Sequence, residues 1–512
     1  MSVKPAAPVV NASSMSVATQ LTPHLLEQAA GPVQVTVNSV VRERIAACHE
    51  FALIRIAGGT PVYGATTGFG PLVAFPGRED SAEQCDNVLD HLIAGQGPDL
   101  EPAVARAAVL ARLWSLAQGL SGVSLSVIDA LIAMLATDFA PAVPCVGSVG
   151  ASGDLIPLAY AARALRGVGS AYLAGERMAA GTALRLAGLT PLELDGRDAL
   201  ALVNGTSLTA AATGIAVAGI RRSHVVAMVL SALLTDLLGS DPVFLSADLL
   251  DAFGHQHATD TARQLRVLLA GTSPSGTRPL QEPYSIRCVP QLLGAVASSV
   301  HHAEQVVCDD LNGVSDNPLF FPDQNKVVHG GNFFGQPCAF AADLLSLAAT
   351  QLGNLAERQL DLVVDPHRNG GLPPMLSAEP GRQHGMQGVQ LAATATLAAM
   401  RRCAVPASVQ SLPTNLHNQD VVPLGTQAAL NALDTARSLR WLHGSLAVAL
   451  RQATHVGARR PTAPVCASVL DALRELIPPI VDDRPLDEDV RRAADLLDGF
   501  AKNPGLFTGS RP

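Results

Sequence analysis

From residue 198 to about 270 the chain keeps a helical pattern, with few breakers beyond Gly205, Gly214, Gly219 and Gly239. Further helical patterns lie near 38–57 and 102–138, then at 287–311, 336–362, 385–403, 424–457, 464–477 and 486–501. Hydrophobic residues make up 48% of the chain, charged ones 15% and aromatic ones only 4%. Much of the apolar content is Ala, Leu and Val, a composition suited to long, closely packed helices. The expected fold is therefore mainly α, a central bundle of long helices with an irregular N-terminal lobe. The expected division is a loose tail at 1–23, the lobe at 24–200, the bundle at 201–457 and a C-terminal helical segment at 458–512. Two stretches stand out from the helical background: 168–196 reads as a small strand pair, and 312–335 is rich in turns.

Several function classes are excluded early. A formal charge of −9 argues against a nucleic-acid partner. Eight cysteines are scattered with no Cys-x-x-Cys pair, which fits small buried thiols in a reducing compartment. His301, His302 and Glu304 have no third ligand at usable spacing, so no metal site is expected. Neither a Walker-type phosphate loop nor a dinucleotide fingerprint is present. With no signal-peptide pattern and no uninterrupted apolar run of membrane-spanning length, the expectation is a cytoplasmic protein. Ala-rich helical bundles often associate, so an oligomer is expected.

Glycine-marked segments carry the candidate chemistry. Gly58 to Gly70 reads Gly-Gly-Thr-Pro-Val-Tyr-Gly-Ala-Thr-Thr-Gly-Phe-Gly, too rich in glycine for a regular element, and is expected to be a mobile loop. The segment Gly147 to Tyr160 contains Ala151-Ser152-Gly153 just before a helix starting near Asp154, a good N-cap residue. It is either a flexible turn or the source of an electrophile. If Gly153 N closed onto the Ala151 carbonyl carbon, expelling that oxygen as water, and Ser152 lost a second water, an imidazolone with an exocyclic methylidene would result.

Four tyrosines occur in all, and two lie in such segments: Tyr63 in the loop and Tyr284 in Gln-Glu-Pro-Tyr-Ser-Ile-Arg. A tyrosine acting as a base must have its phenol pKa lowered, by positive charge or by donors to the phenolate. Arg287 is a solvated helix-start arginine or a two-pronged carboxylate anchor. Asn204 is a satisfied structural amide or a ligand donor. Phe333, in His-Gly-Gly-Asn-Phe-Phe-Gly, is a packing residue or a site wall. Asn415 to Asp420 is a solvated loop or a set of amide contacts to a ligand.

Taken together, these segments resemble the aromatic amino acid ammonia-lyase and aminomutase family, which includes histidine, phenylalanine and tyrosine ammonia-lyases. The matching stretches are Tyr63–Gly70, Gly147–Tyr160, Leu202–Ser207, Gln281–Gln291, Asp309–Pro318 and His329–Gly335, within a likeness spanning roughly 24–500. The resemblance implies the fumarase/aspartase-like helical fold and a homotetramer whose subunits share active sites. It implies a methylidene-imidazolone (MIO) group made from Ala151, Ser152 and Gly153, with no external cofactor. Tyr63 would be the base that takes the β-proton, Arg287 would hold the carboxylate, and Asn204 and Tyr284 would support electrophile and amine. Phe333 would flank the electrophile, with Gly70, Asn317, Asn418 and Gln419 around the substrate.

The resemblance also bears on the substrate. His91-Leu92 stands where bacterial tyrosine-selective members often have His-Leu, and an imidazole there can hydrogen-bond a phenolic hydroxyl. Histidine-type members usually have Ser-His with the histidine one position later, and a glutamate where Gln419 aligns. The expected reaction is L-tyrosine to trans-p-coumarate and ammonia. Release of β-tyrosine by an aminomutase and of urocanate by a histidine ammonia-lyase are the alternatives. Asp90, Ala65 and Leu416-His417 depart from the usual pattern, and Asp90 and His417 could reshape the ring pocket.

Overall fold

The computed structural model describes residues 13–502 and is mostly helical. Its contacts gather into two compact units. The first comprises Met1–Ile215, Glu304–Ala342 and Pro406–Leu430, the second Ala216–Ala303, Asp343–Val405 and Asn431–Pro512. Long helices begin in one unit and end in the other: Ser207–Leu238, Val289–Asn312, Gln336–Val364 and Gly425–Val456. The boundaries expected at 200 and 457 therefore do not coincide with these units.

All the described strands lie in the first unit. Within 168–196, Ser170–Leu173 and Glu176–Ala179 form the expected strand pair, antiparallel and extended by Phe139–Pro141, but the stretch continues into a helix at Ala180–Ala187. Gln96–Asp99 pairs with Pro144–Val146, and within the turn-rich 312–335 stretch Leu319–Phe321 pairs with Lys326–Val328. The expected loose tail is corrected in part. Ser13–Ser16 is a strand, parallel to Val33–Thr36 with Met15 opposite Val35, and Pro23 begins a helix capped by the Thr22 side chain. Residues 1–12 lie outside the described residues. Met15, Val33 and Val35 are buried, so the apolar side of this short pair secures a stretch that lacks any longer period.

The Pro102–Ala117 helix is buried along most of its length and carries two arginines into the core. Arg106 donates to the carbonyls of Ala29, Gly31, Leu135, Thr137 and Phe139, several of them at or just beyond the ends of neighbouring helices. Helix ends leave carbonyls unpaired, and a guanidinium supplies enough donors to satisfy a group of them. Burial still lowers the Arg106 pKa, to about 10.

Every described element of the second unit is helical. There Asp236, at the end of the Ser207–Leu238 helix, accepts from the backbone of Thr462 and Ala463 and from the Thr272 hydroxyl, tying down two loops. One stretch among the described residues, Asp198–Leu238, is long and apolar enough to cross a membrane. Its most apolar window is 94% buried, so the protein's own side chains already cover it as a core helix.

Candidate active site

The Ala151-Ser152-Gly153 turn follows the Pro144–Val146 strand and precedes the Leu155–Leu165 helix. Gly150 and Gly153 have φ of 72° and 70°, and the two bridge each other across the turn. That left-handed backbone is open to glycine at no steric cost. A Cβ on Gly153 would also lie 2.3 Å from the Gly205 carbonyl oxygen, so the turn is pressed against the Asn204–Gly205 backbone. The Asp154 N–H donates to that same oxygen at 2.7 Å.

Asp154 stands at the N-cap position but makes no side-chain cap. Its carboxylate, fully buried, instead accepts from Ser148 Oγ, Thr209 N, Thr209 Oγ1 and Thr426 Oγ1 at 2.7–3.1 Å. Burial pushes its pKa up while these four donors pull it down. Asp154 thus pins both flanks of the turn. The far side of Gly205 is closed by Arg112, whose Nη1 would lie 2.1 Å from a Cβ there. Arg112 donates to Ser315 O and Ala201 O and faces Asp316, which also pairs with Arg197 at 2.8 Å.

A cavity of about 390 Å³ opens over this turn. Tyr63, Gly70, Ala151, Ser152, Asn204, Asn317, Phe333, Asn418 and Gln419 line it, so nine of the singled-out residues come together in the first unit. The Asn204 amide donates to Asn317 O at 3.4 Å, and its Oδ1 is buried with no partner. An orphaned acceptor at a cavity wall is suited to an N–H donor of a ligand. The Gln419 amide donates to Ser152 Oγ at 2.8 Å and is oriented by the Thr414 hydroxyl at its Oε1. Asn415, Leu416 and His417 all have positive φ, a strained path that leads the chain to Asn418. A small serine between two glycine-like pivots, an orphaned amide oxygen and a turn that admits no added Cβ fit an in-place cyclisation.

Tyr63 Oη accepts from Gly70 N–H at 2.8 Å, and the Tyr63 ring stands edge-on to Phe69 at 6.1 Å. Burial pushes the Tyr63 phenol above its ordinary value, and the Gly70 N–H draws it down by less. The lowering that a phenolate base requires therefore needs a further donor or positive charge. The Tyr63 backbone N–H donates to His329 Nε2 at 3.2 Å.

Other expected residues lie elsewhere. His91 ends the Ser81–Asp90 helix, its Nδ1 2.8 Å from Asn87 O and its ring stacked on Phe69 at 5.6 Å. Leu92 is buried beside it, and Asp90 faces Arg163. Tyr284 and Arg287 belong to the second unit, where the Arg287 guanidinium lies 4.7 Å from the Tyr284 ring centre. Arg287 lines a different cavity, of about 680 Å³, with Gln291. Arg287 Nε and Gln291 Oε1 are buried there without partners.

Sequence reasoning missed the roles of Asp154, Thr209 and Thr426 behind the turn, and it missed Val73, Phe334 and Val421 on the cavity wall. An aspartate just before an apolar helix was the available signal for Asp154, but most of its partners come from the distant residues 209 and 426.

Comparison with known proteins places these features in context. The family model described as "Aromatic amino acid lyase" matches residues 21–475. A tyrosine ammonia-lyase of Cereibacter sphaeroides is 40% identical over 497 residues, covering 91% of this chain and 94% of that protein. A histidine ammonia-lyase of Burkholderia lata is 37% identical over 458 residues, covering 88% and 90%. The crystal structure of a tyrosine aminomutase from Streptomyces globisporus is similar with a TM-score of 0.88 at 33% identity, covering 95% of this chain and 97% of that one.

Proposed function

The chain belongs to the aromatic amino acid lyase family, and from that premise we propose that it eliminates ammonia from L-tyrosine to give trans-p-coumarate. The observation that carries this reading is the lining of one cavity by Tyr63, Ser152, Asn204, Phe333 and Gln419. The identity to a tyrosine ammonia-lyase supports the substrate.

Ala151, Ser152 and Gly153 are the residues that would form the methylidene-imidazolone. That group supplies a carbon electrophile able to turn the substrate amine into a leaving group. Asn204 Oδ1 accepts from the substrate amine, satisfying an atom otherwise buried without a partner. Tyr63 removes the β-proton, and the Gly70 N–H stabilises the phenolate that this role requires. The base acts efficiently only when held in near-attack geometry, which the packing of the Tyr63 loop supplies. Phe333 and Phe334 present apolar surface to the substrate ring from the cavity wall.

His91 does not line the Ser152 cavity but stacks on Phe69 of the Tyr63 loop, and from there it would read the substrate's phenolic hydroxyl. Its Nδ1 donates to Asn87 O, which leaves Nε2 as an acceptor for the hydroxyl proton. Tyr284 and Arg287 enter the reaction as residues of a neighbouring subunit, in a cytoplasmic homotetramer with shared sites, and Arg287 clamps the carboxylate.

A panel of L-tyrosine, L-phenylalanine and L-histidine with product identification tests the reading. The expected result is p-coumarate as the fastest-formed product, and urocanate as the main product would overturn the substrate. The likeness to a tyrosine aminomutase supports a second reading, in which β-tyrosine dominates the product mixture.

A further inference from the structure

The loop carrying Tyr63 is held partly by itself. Val62 N–H donates to Thr66 Oγ1, Gly64 N–H to Thr67 Oγ1 and Gly70 N–H to the Tyr63 phenol. Side chains from two other elements grip its backbone. Gln84, on the Ser81–Asp90 helix, donates to Gly64 O at 3.2 Å. His329 accepts from the Tyr63 N–H at 3.2 Å.

The backbone on either side of His329 is fixed. The residue follows the Lys326–Val328 strand of a two-stranded hairpin, and the next residue, Gly330, donates its N–H to Asn317 Oδ1 at 2.8 Å. Asn317 lines the Ser152 cavity and receives the Asn204 amide. The imidazole thus ties the Tyr63 loop to the wall that holds Asn204.

We propose that His329 is a positioning residue whose neutral imidazole latches Tyr63 against the Ser152 cavity and whose protonation releases the Tyr63 loop. A ring nitrogen can accept an N–H only while it carries no proton, so the latch uses the tautomer with hydrogen on Nδ1. Protonation turns Nε2 into a donor that faces another donor. The bond is then lost and replaced by repulsion. Gln84 is neutral at every pH, so the grip on Gly64 does not change.

Arg197, just before the Asp198–Val203 helix, is the charge bearing on the ring, and Tyr63 brings a second titratable group, whose phenol is tied to Gly70. Partial burial first, and the Arg197 charge second, hold the His329 pKa below its ordinary 6.5. The latch is therefore closed at neutral pH and opens as pH falls through that depressed value. The His329 ring is only partly buried and keeps solvent exposure, so protons reach it without unfolding.

The inference uses the proposed role of Tyr63, so its test has a readout that needs no turnover. Hydrogen–deuterium exchange of the peptide spanning Tyr63, corrected for intrinsic rates, is followed between pH 5 and pH 8. The wild-type chain, His329→Phe and His329→Gln are compared, the last keeping an oxygen acceptor that does not titrate. Protection in the wild type is expected to fall on acidification, to be low throughout in His329→Phe and to be pH-independent in His329→Gln. On the tyrosine substrate, His329→Phe is expected to lose about two- to tenfold in kcat/KM at neutral pH, the worth of one hydrogen bond, and His329→Gln to recover it. The same pH-dependent protection in all three proteins would overturn the latch. PH-dependent protection in a protein that turns over no tyrosine would leave the latch standing and remove the substrate reading instead.

Discussion

At Tyr63 two influences act in opposite directions on one proton. Burial raises the phenol pKa and the Gly70 N–H lowers it, with burial ahead. A base active as the phenolate therefore gains activity as pH rises, and kcat/KM is expected to climb through the alkaline range without a plateau at neutral pH. Tyr63→Phe should abolish that limb and lower kcat/KM by about 10²–10⁴-fold, the usual worth of a positioned base. Intact-mass measurement on the same variant should still show the loss of two waters, because Tyr63 lines the cavity and does not belong to the turn. Retained turnover in Tyr63→Phe would remove this residue from the mechanism.

At the scale of elements, the catalytic turn is held from behind. Gly205 is wedged between Gly153 on one side and Arg112 with the Ser315 carbonyl on the other. Gly205→Ala is expected to cost about 1–3 kcal/mol by overpacking, read as a lower Tm, and to slow the two-water loss by shifting Gly205 against Gly153. An unchanged Tm would contradict the packing account.

This scale also shows what the sequence could and could not reveal. The long helices were legible because helical period is a local property, and Ser39–Ala57, Gly425–Val456 and Asp487–Ala501 fall within a residue or two of expectation. Ser13–Ser16 was not, since four residues carry no period and the strand exists only through its pairing with Val33–Thr36. Asp154 was read as a helix cap, whereas tertiary donors from Thr209 and Thr426 outcompeted the local cap. The Tyr63–His329 contact joins residues 266 apart, beyond the reach of any spacing argument. The cavity residues could be named in advance only because several glycine-marked segments were matched together, each being ambiguous alone.

At the scale of the whole molecule, the proposed site draws Tyr63 and Ser152 from one subunit and Arg287 from another. Mixing Tyr63→Phe and Arg287→Ala chains, with dissociation and reassembly, should restore activity that neither variant has alone, since some sites would then receive both native residues. No recovery from mixed tetramers verified by mass would contradict shared sites. The central claim is that the chain builds its own electrophile at Ser152, and mass spectrometry of the purified protein tests it most directly. The account predicts a chain lighter than its sequence by two waters, with the deficit located in the peptide containing Ala151-Ser152-Gly153 and absent from Ser152→Ala. A wild-type chain of full sequence mass that still releases ammonia from an aromatic amino acid would contradict it.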